Sequence, residues 1–171
     1  NNKNLWIGTT SGGLDKYDPK TKQFTNYQHK PGDTTSLSYN CVQAALETRD
    51  GRFWIGTYGG GLCEFDRSNG TFRSYRYNEK DNQSISSDVV QYLYEDSDQN
   101  LWIATISGLN LFDKKNLTFK RYSCIPENFF SLGGDYVYHI YPHKDKSKLW
   151  LATAGGLYLF DKESGKYTCY D

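Results

Sequence analysis

The chain has 171 residues, balances 20 Lys and Arg against 20 Asp and Glu, and combines 16 Gly, 15 Tyr and 9 Phe with no Met. That length suits one domain with a real core, and its aromatic, turn-rich composition favours many short strands over a helical bundle. Zero net charge with no long run of one sign removes the electrostatic footprint of a nucleic-acid or anionic-membrane binder, and no apolar stretch is long enough to span a bilayer.

In chain order, the first strong element is Leu5-Trp6-Ile7-Gly8-Thr9, and it returns as 53–57, 101–105 and 149–153. The tryptophans stand at 6, 54, 102 and 150, so each lies 48 residues from the last. A period of this size marks a repeat architecture. Each tryptophan strand is followed by a turn and a second strand, the Gly-Leu segments beginning at Gly13, Gly61, Gly108 and Gly156. In these segments Leu and an aromatic lie three apart, which in an extended strand places them on opposite faces.

A polar turn then leads to an outer strand holding an aromatic pair: Phe24 and Tyr27, Phe72 and Tyr75, Phe119 and Tyr122, Tyr167 and Tyr170. Longer polar connections follow at 28–39, 76–87 and 123–134, with a recurring tripeptide at Ser36-Leu37-Ser38, Ser84-Ile85-Ser86 and Ser131-Leu132-Gly133. The inner strands are expected at 42–47, 89–95 and 136–141, each closing on the next tryptophan strand through a tight Asp/Gly/Asn turn. This is a four-stranded antiparallel meander per repeat.

Because the tryptophan strand is apolar on both faces, a sheet with one wet side is excluded and the sheets must stack face to face. Radial stacking gives an all-β fold of β-propeller blades; a solenoid of hairpins is the alternative, with a shorter usual repeat. Residues 1–171 are expected to form a single partial propeller with repeats at 1–38, which lacks the inner strand, 39–86, 87–133 and 134–171. A partial ring of about four blades exposes two apolar faces. Either a second copy completes the ring, or the chain is a piece cut from a longer propeller.

The succession of Ser-Leu-Ser, a Val-containing strand, an Asp-Gly type turn, Leu-Trp-Ile-Gly-Thr and Gly-Gly-Leu with aromatic-Asp resembles the two-component regulator propeller repeat, best over Ser84–Asp113. The resemblance covers essentially the whole chain. It implies the extracytoplasmic (periplasmic) sensor region of a bacterial hybrid two-component protein, binding a small ligand, commonly carbohydrate-derived, and signalling through a membrane segment to a histidine kinase. Related sensors carry many more repeats than four, and no kinase segment is present among these residues. The rival readings are a scaffold for protein interaction or self-association, and a propeller lyase or glycosidase.

Sequence offers little chemistry. The tryptophans, Trp6, Trp54, Trp102 and Trp150, are expected as core between blades and not as sugar platforms. Gly59-Gly60-Gly61 precedes a strand, where a phosphate loop needs a helix, so it reads as a hairpin turn. His139 and His143 do not share a helix face, and Pro142 between them is expected to break the ladder. Asp18, Asp66, Asp113 and Asp161 recur in every blade as turn caps, and Glu47 and Glu95 recur too. No acid pair, metal site or cofactor motif stands out. The cysteines Cys41, Cys63, Cys124 and Cys169 have no metal spacing and read as small semi-buried residues, with one disulfide as the alternative. By analogy with other propellers, a ligand would meet the end of the ring formed by the connections into the inner strands. Residues there that differ between blades are Tyr39, Asn40, Tyr58, Asp88, Asp135 and Tyr136, with His29 and Phe129 farther out; a small-molecule or oligosaccharide ligand is the expected partner.

Overall fold

A computed structural model describes residues 4–123 and 136–170. Among the described residues, fifteen strands form four antiparallel sheets, one of three strands and three of four, each a meander in which neighbours in sequence are neighbours in the sheet. The first blade is β1 (Leu5–Gly8), β2 (Leu14–Asp18) and β3 (Gln23–Tyr27). The second is β4 (Val42–Glu47), β5 (Phe53–Thr57), β6 (Leu62–Asp66) and β7 (Thr71–Tyr75). The third comprises β8 (Val90–Glu95), β9 (Leu101–Thr105), β10 (Gly108–Asp113) and β11 (Thr118–Tyr122). The fourth comprises β12 (Val137–Pro142), β13 (Lys148–Thr153), β14 (Gly156–Asp161) and β15 (Tyr167–Tyr170). The inner strands β4, β8 and β12 pack beside one another in series, which orders the blades as an arc of propeller sheets.

Both faces of the central tryptophan strands are buried along their whole length, β5 and β9 alike. One contact repeats at each junction. The indole of one blade meets a phenylalanine of the next edge-on: Trp6 with Phe65 at 5.5 Å, Trp54 with Phe112 at 5.1 Å, Trp102 with Phe160 at 5.5 Å, at interplanar angles of 82°, 70° and 73°. The outer-strand tyrosine packs on the same ring beside the indole, Tyr27 on Phe65, Tyr75 on Phe112 and Tyr122 on Phe160, at 4.9, 5.1 and 4.9 Å. Each aromatic pair adds about 1 kcal/mol beyond the area it buries. Burial is complete only in the middle of the arc: Trp54 and Trp102 are 0% and 1% exposed, while Trp6 and Trp150 are half-buried. The end tryptophans thus fit the expected core role less fully, since one end lacks an inner strand and the other has no blade beyond it.

The recurring tripeptide proves to be a plug. Leu37 and Ile85 are fully buried in the junction ahead of their own blade. The same connections reach across to the next outer strand, where the carbonyls of Thr35 and Gln83 each accept a bond from the N–H of Phe72 and Phe119 at 2.7 Å. The third tripeptide, Ser131-Leu132-Gly133, lies outside the described residues. Glycine is required where the Gly-Leu segment begins: Gly13 and Gly61 sit at φ 82° and 75°, and a Cβ on either would come within 2.2 Å of the carbonyl oxygen of Tyr27 or Tyr75.

Blades are also pinned by charge at the end holding the inner-strand turns. The basic residue after the third strand's aspartate reaches back to the preceding blade, Lys114 to Asp50 at 2.9 Å and Lys162 to Asp96 at 3.0 Å. Asp96 is buried and also accepts the Trp102 indole N–H at 2.9 Å. Burial pushes its carboxyl up, but the bonds from Trp102, Asn100 and Lys162 outweigh that and hold it below the ordinary range. Asp50 is likewise pushed up by burial and pulled further down by Thr48 and Lys114, to about 2.

Two local expectations need correction. The ladder is not broken by Pro142, which pairs with Leu149 as the last residue of β12; an end position on the sheet's edge strand tolerates a residue without an N–H. Val89 lies outside β8 and forms an isolated bridge with Tyr58.

Replacing Ile85 by Ala should destabilise the chain by about 2–5 kcal/mol in urea unfolding, whereas the same change at exposed Leu5 should cost about 0.5 kcal/mol or less. Because Asp50 and Asp96 have folded-state pKa values below their unfolded values, the stability they contribute is present above the unfolded carboxylate range, about pH 4, and is lost as pH falls through the folded values, which for Asp50 is about 2. Lys162→Met should leave Asp96 buried without its cation, cost about 3 kcal/mol at neutral pH and flatten that acid transition.

Candidate functional site

The axial end opposite the inner-strand turns carries the connections into the inner strands and the turns after the tryptophan strands. Asn40 and Asp88 occupy equivalent places in successive repeats and do equivalent work. Each uses a side-chain oxygen to accept the N–H of a residue just past the outer strand, His29 for Asn40 and Tyr77 for Asp88, both at 2.7 Å. Each also gives its carbonyl to the glycine that opens the third strand, Gly13 or Gly61. The second oxygen of Asp88 takes Arg76 at 2.9 Å, and Arg76 donates as well to the Gly59 carbonyl. These two residues hold the connection onto the blade. Asp135 and Phe129 lie outside the described residues.

The triple glycine is occupied in the same way. Gly59 and Gly61 donate their N–H groups to the Asp88 carbonyl and Gly60 donates to the Thr57 hydroxyl, so this turn has no N–H cluster left for a phosphate.

The tyrosines are different. Tyr39 and Tyr58 are both 46% exposed and Tyr138 is 49% exposed, with Tyr136 half-buried beside it. Tyr39 rests on Gly59, next to Tyr58; Tyr58 bridges to Val89 at the start of the third blade; the rings of Tyr136 and Tyr138 lie 4.5 Å apart. Gln91 Nε2 donates to the Tyr136 hydroxyl oxygen at 2.9 Å, which leaves that hydroxyl's own hydrogen free to be donated outward. Burial, the nearby Tyr58 and Tyr138 hydroxyls and the Gln91 bond act on the Tyr136 phenol, and the net effect raises its pKa, keeping it a neutral donor. Among the described residues beside this surface, Asp88 and Arg76 pair with each other. The patch is aromatic and supplied with a donor at Tyr136 and a carboxamide at Gln91.

Sequence reading missed Tyr138 and Gln91 because it could not see a backbone irregularity. Each inner strand has a register shift at the same point, between Val42 and Ala44, Val90 and Tyr92, Val137 and His139. The skipped residues are Gln43, Gln91 and Tyr138. A bulge re-aims its extra side chain, here out of the ladder at the axial end of the strand. The available signal was departure from the repeat: a tyrosine stands at 138 where the two earlier blades have glutamine, and at 58 where the others have Thr10, Ile106 and Ala154.

Other candidates do not converge. The His139 ring packs on Tyr92 at 3.9 Å while the His143 ring lies 5.6 Å from Trp150, and His29 Nδ1 meets the Leu37 carbonyl. No group of three metal-ligating side chains is found among the described residues. Asp18, Asp66, Asp113 and Asp161 each accept backbone N–H bonds from the turn that follows, and such bonds, joined by the Ser68 hydroxyl at Asp66, lower all four carboxyls. Cys63 is buried, its thiol 3.0 Å from the Ser38 hydroxyl and pushed up by burial; Cys41 is half-buried and Cys169 exposed, while Cys124 lies outside the described residues.

Asp88→Ala should remove an acceptor and strand Arg76, costing about 1–3 kcal/mol. Tyr58→Ala should leave the melting temperature within about a degree of the parent's. Thermal unfolding of the two variants checks this division between scaffold and surface.

Residues 36–59 and 84–107 match the family model of the two component regulator propeller. No functionally curated protein is a match for the chain. Among solved structures, the extracellular domain of the hybrid two-component system BT3049 of B. thetaiotaomicron is similar at 27% identity and a TM-score of 0.76, over 96% of this chain and 21% of that one. The extracellular domain of BT4673 from the same organism is similar at 21% identity and 0.60, over 94% of this chain and 27% of that one. Virginiamycin B lyase of Staphylococcus aureus, at 14% identity and 0.67 over 96% of this chain and 50% of that one, shares the fold alone. The chain thus spans about a fifth to a quarter of the length of those two extracellular domains. Two of its repeats match the two component regulator propeller model, and the chain has the propeller fold of those extracellular domains.

Proposed function

We propose that this chain is a non-catalytic part of the extracytoplasmic ligand-sensing propeller of a hybrid two-component sensor. Its ligand is carbohydrate-derived and lies across Tyr39, Tyr58, Tyr136 and Tyr138, and its binding is relayed to a histidine kinase carried elsewhere in the parent protein. Asn40 and Asp88 hold the connections beside this surface, and Asp135, at the equivalent step of the sequence repeat, belongs to the proposed site. The observation that carries the reading is the run of half-exposed tyrosines that depart from an otherwise regular repeat. A pyranose has apolar ring faces that stack on phenol rings and hydroxyls that meet Tyr136 and Gln91. A ligand that binds one relative arrangement of propeller and kinase more tightly than another shifts the balance between them by that difference in affinity.

The enzyme reading has less behind it, because the lyase likeness is one of fold and the carboxylates of the described turns are committed to capping.

Calorimetry against a panel of neutral oligosaccharides tests the proposal. At least one should bind, and Tyr136→Phe or Tyr58→Ala should weaken it about tenfold or more with the melting temperature unchanged. An absence of heat with every sugar, or binding indifferent to both substitutions, contradicts it.

A further inference from the structure

The connections 28–39 and 76–87 are built alike, and the second shows what the first is shaped to hold. In each, one serine ties the loop together. Ser36 Oγ accepts the Lys30 N–H and donates to the Asp33 carbonyl, as Ser84 Oγ accepts the Asn78 N–H and donates to the Asp81 carbonyl. Both loops dock on the next outer strand through the same backbone bond, from Phe72 to Thr35 and from Phe119 to Gln83.

The two differ at one residue of that outer strand. Arg121 on β11 stands opposite Asn110, and in the same register on β7 Ser74 stands opposite Cys63. The Arg121 guanidinium lies over the Tyr77 ring, 5.4 Å from its centroid, and donates to the Ser84 carbonyl at 2.6 Å, to the Asp81 carbonyl at 2.7 Å and to the Ser84 hydroxyl. A serine is too short to make any of these bonds. Where Arg121 would have its counterpart there is a cleft of about 230 Å³, lined by His29, Asp33, Ser36, Ser38, Ser74 and Arg76 among others.

The acceptors that Arg121 uses are repeated in this cleft. Ser36 is as buried as Ser84, at 9% against 8% exposed, yet no donor among the described residues reaches its carbonyl. His29 takes the place of Tyr77. Its Nδ1 lies 2.9 Å from the Leu37 carbonyl, an acceptor only, so Nδ1 carries the proton and Nε2 of the neutral ring is left as an acceptor. Asp33 adds a negative charge, since the hydroxyl and N–H of Thr35 bond its carboxyl and hold it below the ordinary range. The Arg76 guanidinium is engaged by Asp88 and the Gly59 carbonyl.

We propose that this cleft binds a guanidinium group, that of free arginine or of an arginine-bearing peptide, in the pose that Arg121 takes one blade on. The group donates to the carbonyls of Ser36 and Asp33 and to the Ser36 hydroxyl, with its plane against the His29 ring. A planar, weakly hydrated fork of donors fits converging carbonyls and an adjacent ring; an ammonium is a compact point charge without that fork. The site does not rest on the sugar reading of the tyrosine surface.

Titration of the chain with L-arginine, followed by amide NMR, tests this. Saturable shifts in the millimolar range should appear at the amides of residues 29–38 and of β7. L-citrulline, whose neutral urea replaces the guanidinium, should bind about tenfold more weakly or worse. A blocked tripeptide with arginine at its centre distinguishes the sources: tighter binding than the free amino acid points to a peptide, weaker binding to free arginine, and either supports the site. Ser74→Arg should fill the cleft from within and abolish binding; Ser74→Met, which fills it without charge, should do the same and decides the matter if the arginine variant does not fold. Arg121→Ala should open a second site, adding shifts at the amides of Asp81 and Ser84. No saturable shift with arginine or the tripeptide, citrulline binding as tightly as arginine, or binding that survives the substitutions at Ser74 would overturn the proposal.

Discussion

A strand whose two faces are both apolar cannot end in water on either side, and the rest of this molecule follows from that constraint. Hydrophobic side chains front and back on β5 and β9 need a sheet before them and a sheet behind. What orders the stack is the edge-on meeting of indole and phenylalanine, repeated with a spread of 0.4 Å in centroid distance, from 5.1 to 5.5 Å. Burying a ring of that size contributes about 3 kcal/mol, and its quadrupole disfavours a face-to-face sandwich, so the same contact supplies both adhesion and angle. Ion pairs at the turn end, such as that of Lys162 with Asp96, add register between blades that greasy surfaces alone do not specify.

Much of this was readable from the sequence, because repetition multiplies a weak signal. One Leu-Trp-Ile-Gly-Thr segment is an ordinary strand; four at a constant spacing fix the unit, its strands and the direction in which both faces must be covered. The role of Ser-Leu-Ser was not readable. Its leucine works by leaving its own blade to fill the next junction, a contact between segments that periodicity within one strand does not report. Pro142 shows the opposite error, in which a sound local rule was applied without knowing that the residue ends an edge strand.

The candidate site divides along the same line. Asn40 and Asp88 stand out in the sequence as a position that differs between blades, yet both occupy the same step of successive repeats and their oxygens are engaged by backbone N–H groups. Tyr58 and Tyr138 depart from the repeat and remain half in water. A repeat protein separates its tasks in this way: positions that recur hold the blades, and positions that differ are free to be spent on a ligand. The bulge in each inner strand is the meeting point of the two, since a regular feature of the scaffold is what turns one side chain per blade toward the axial end.

Native-state hydrogen exchange tests the central constraint most directly. If two-sided burial between stacked sheets holds the fold, the amides of β5 and β9 will be the slowest in the chain and will exchange only through global unfolding, with the outer strands β7 and β11 opening earlier. Exchange of β5 and β9 on the same timescale as those outer strands would contradict the account.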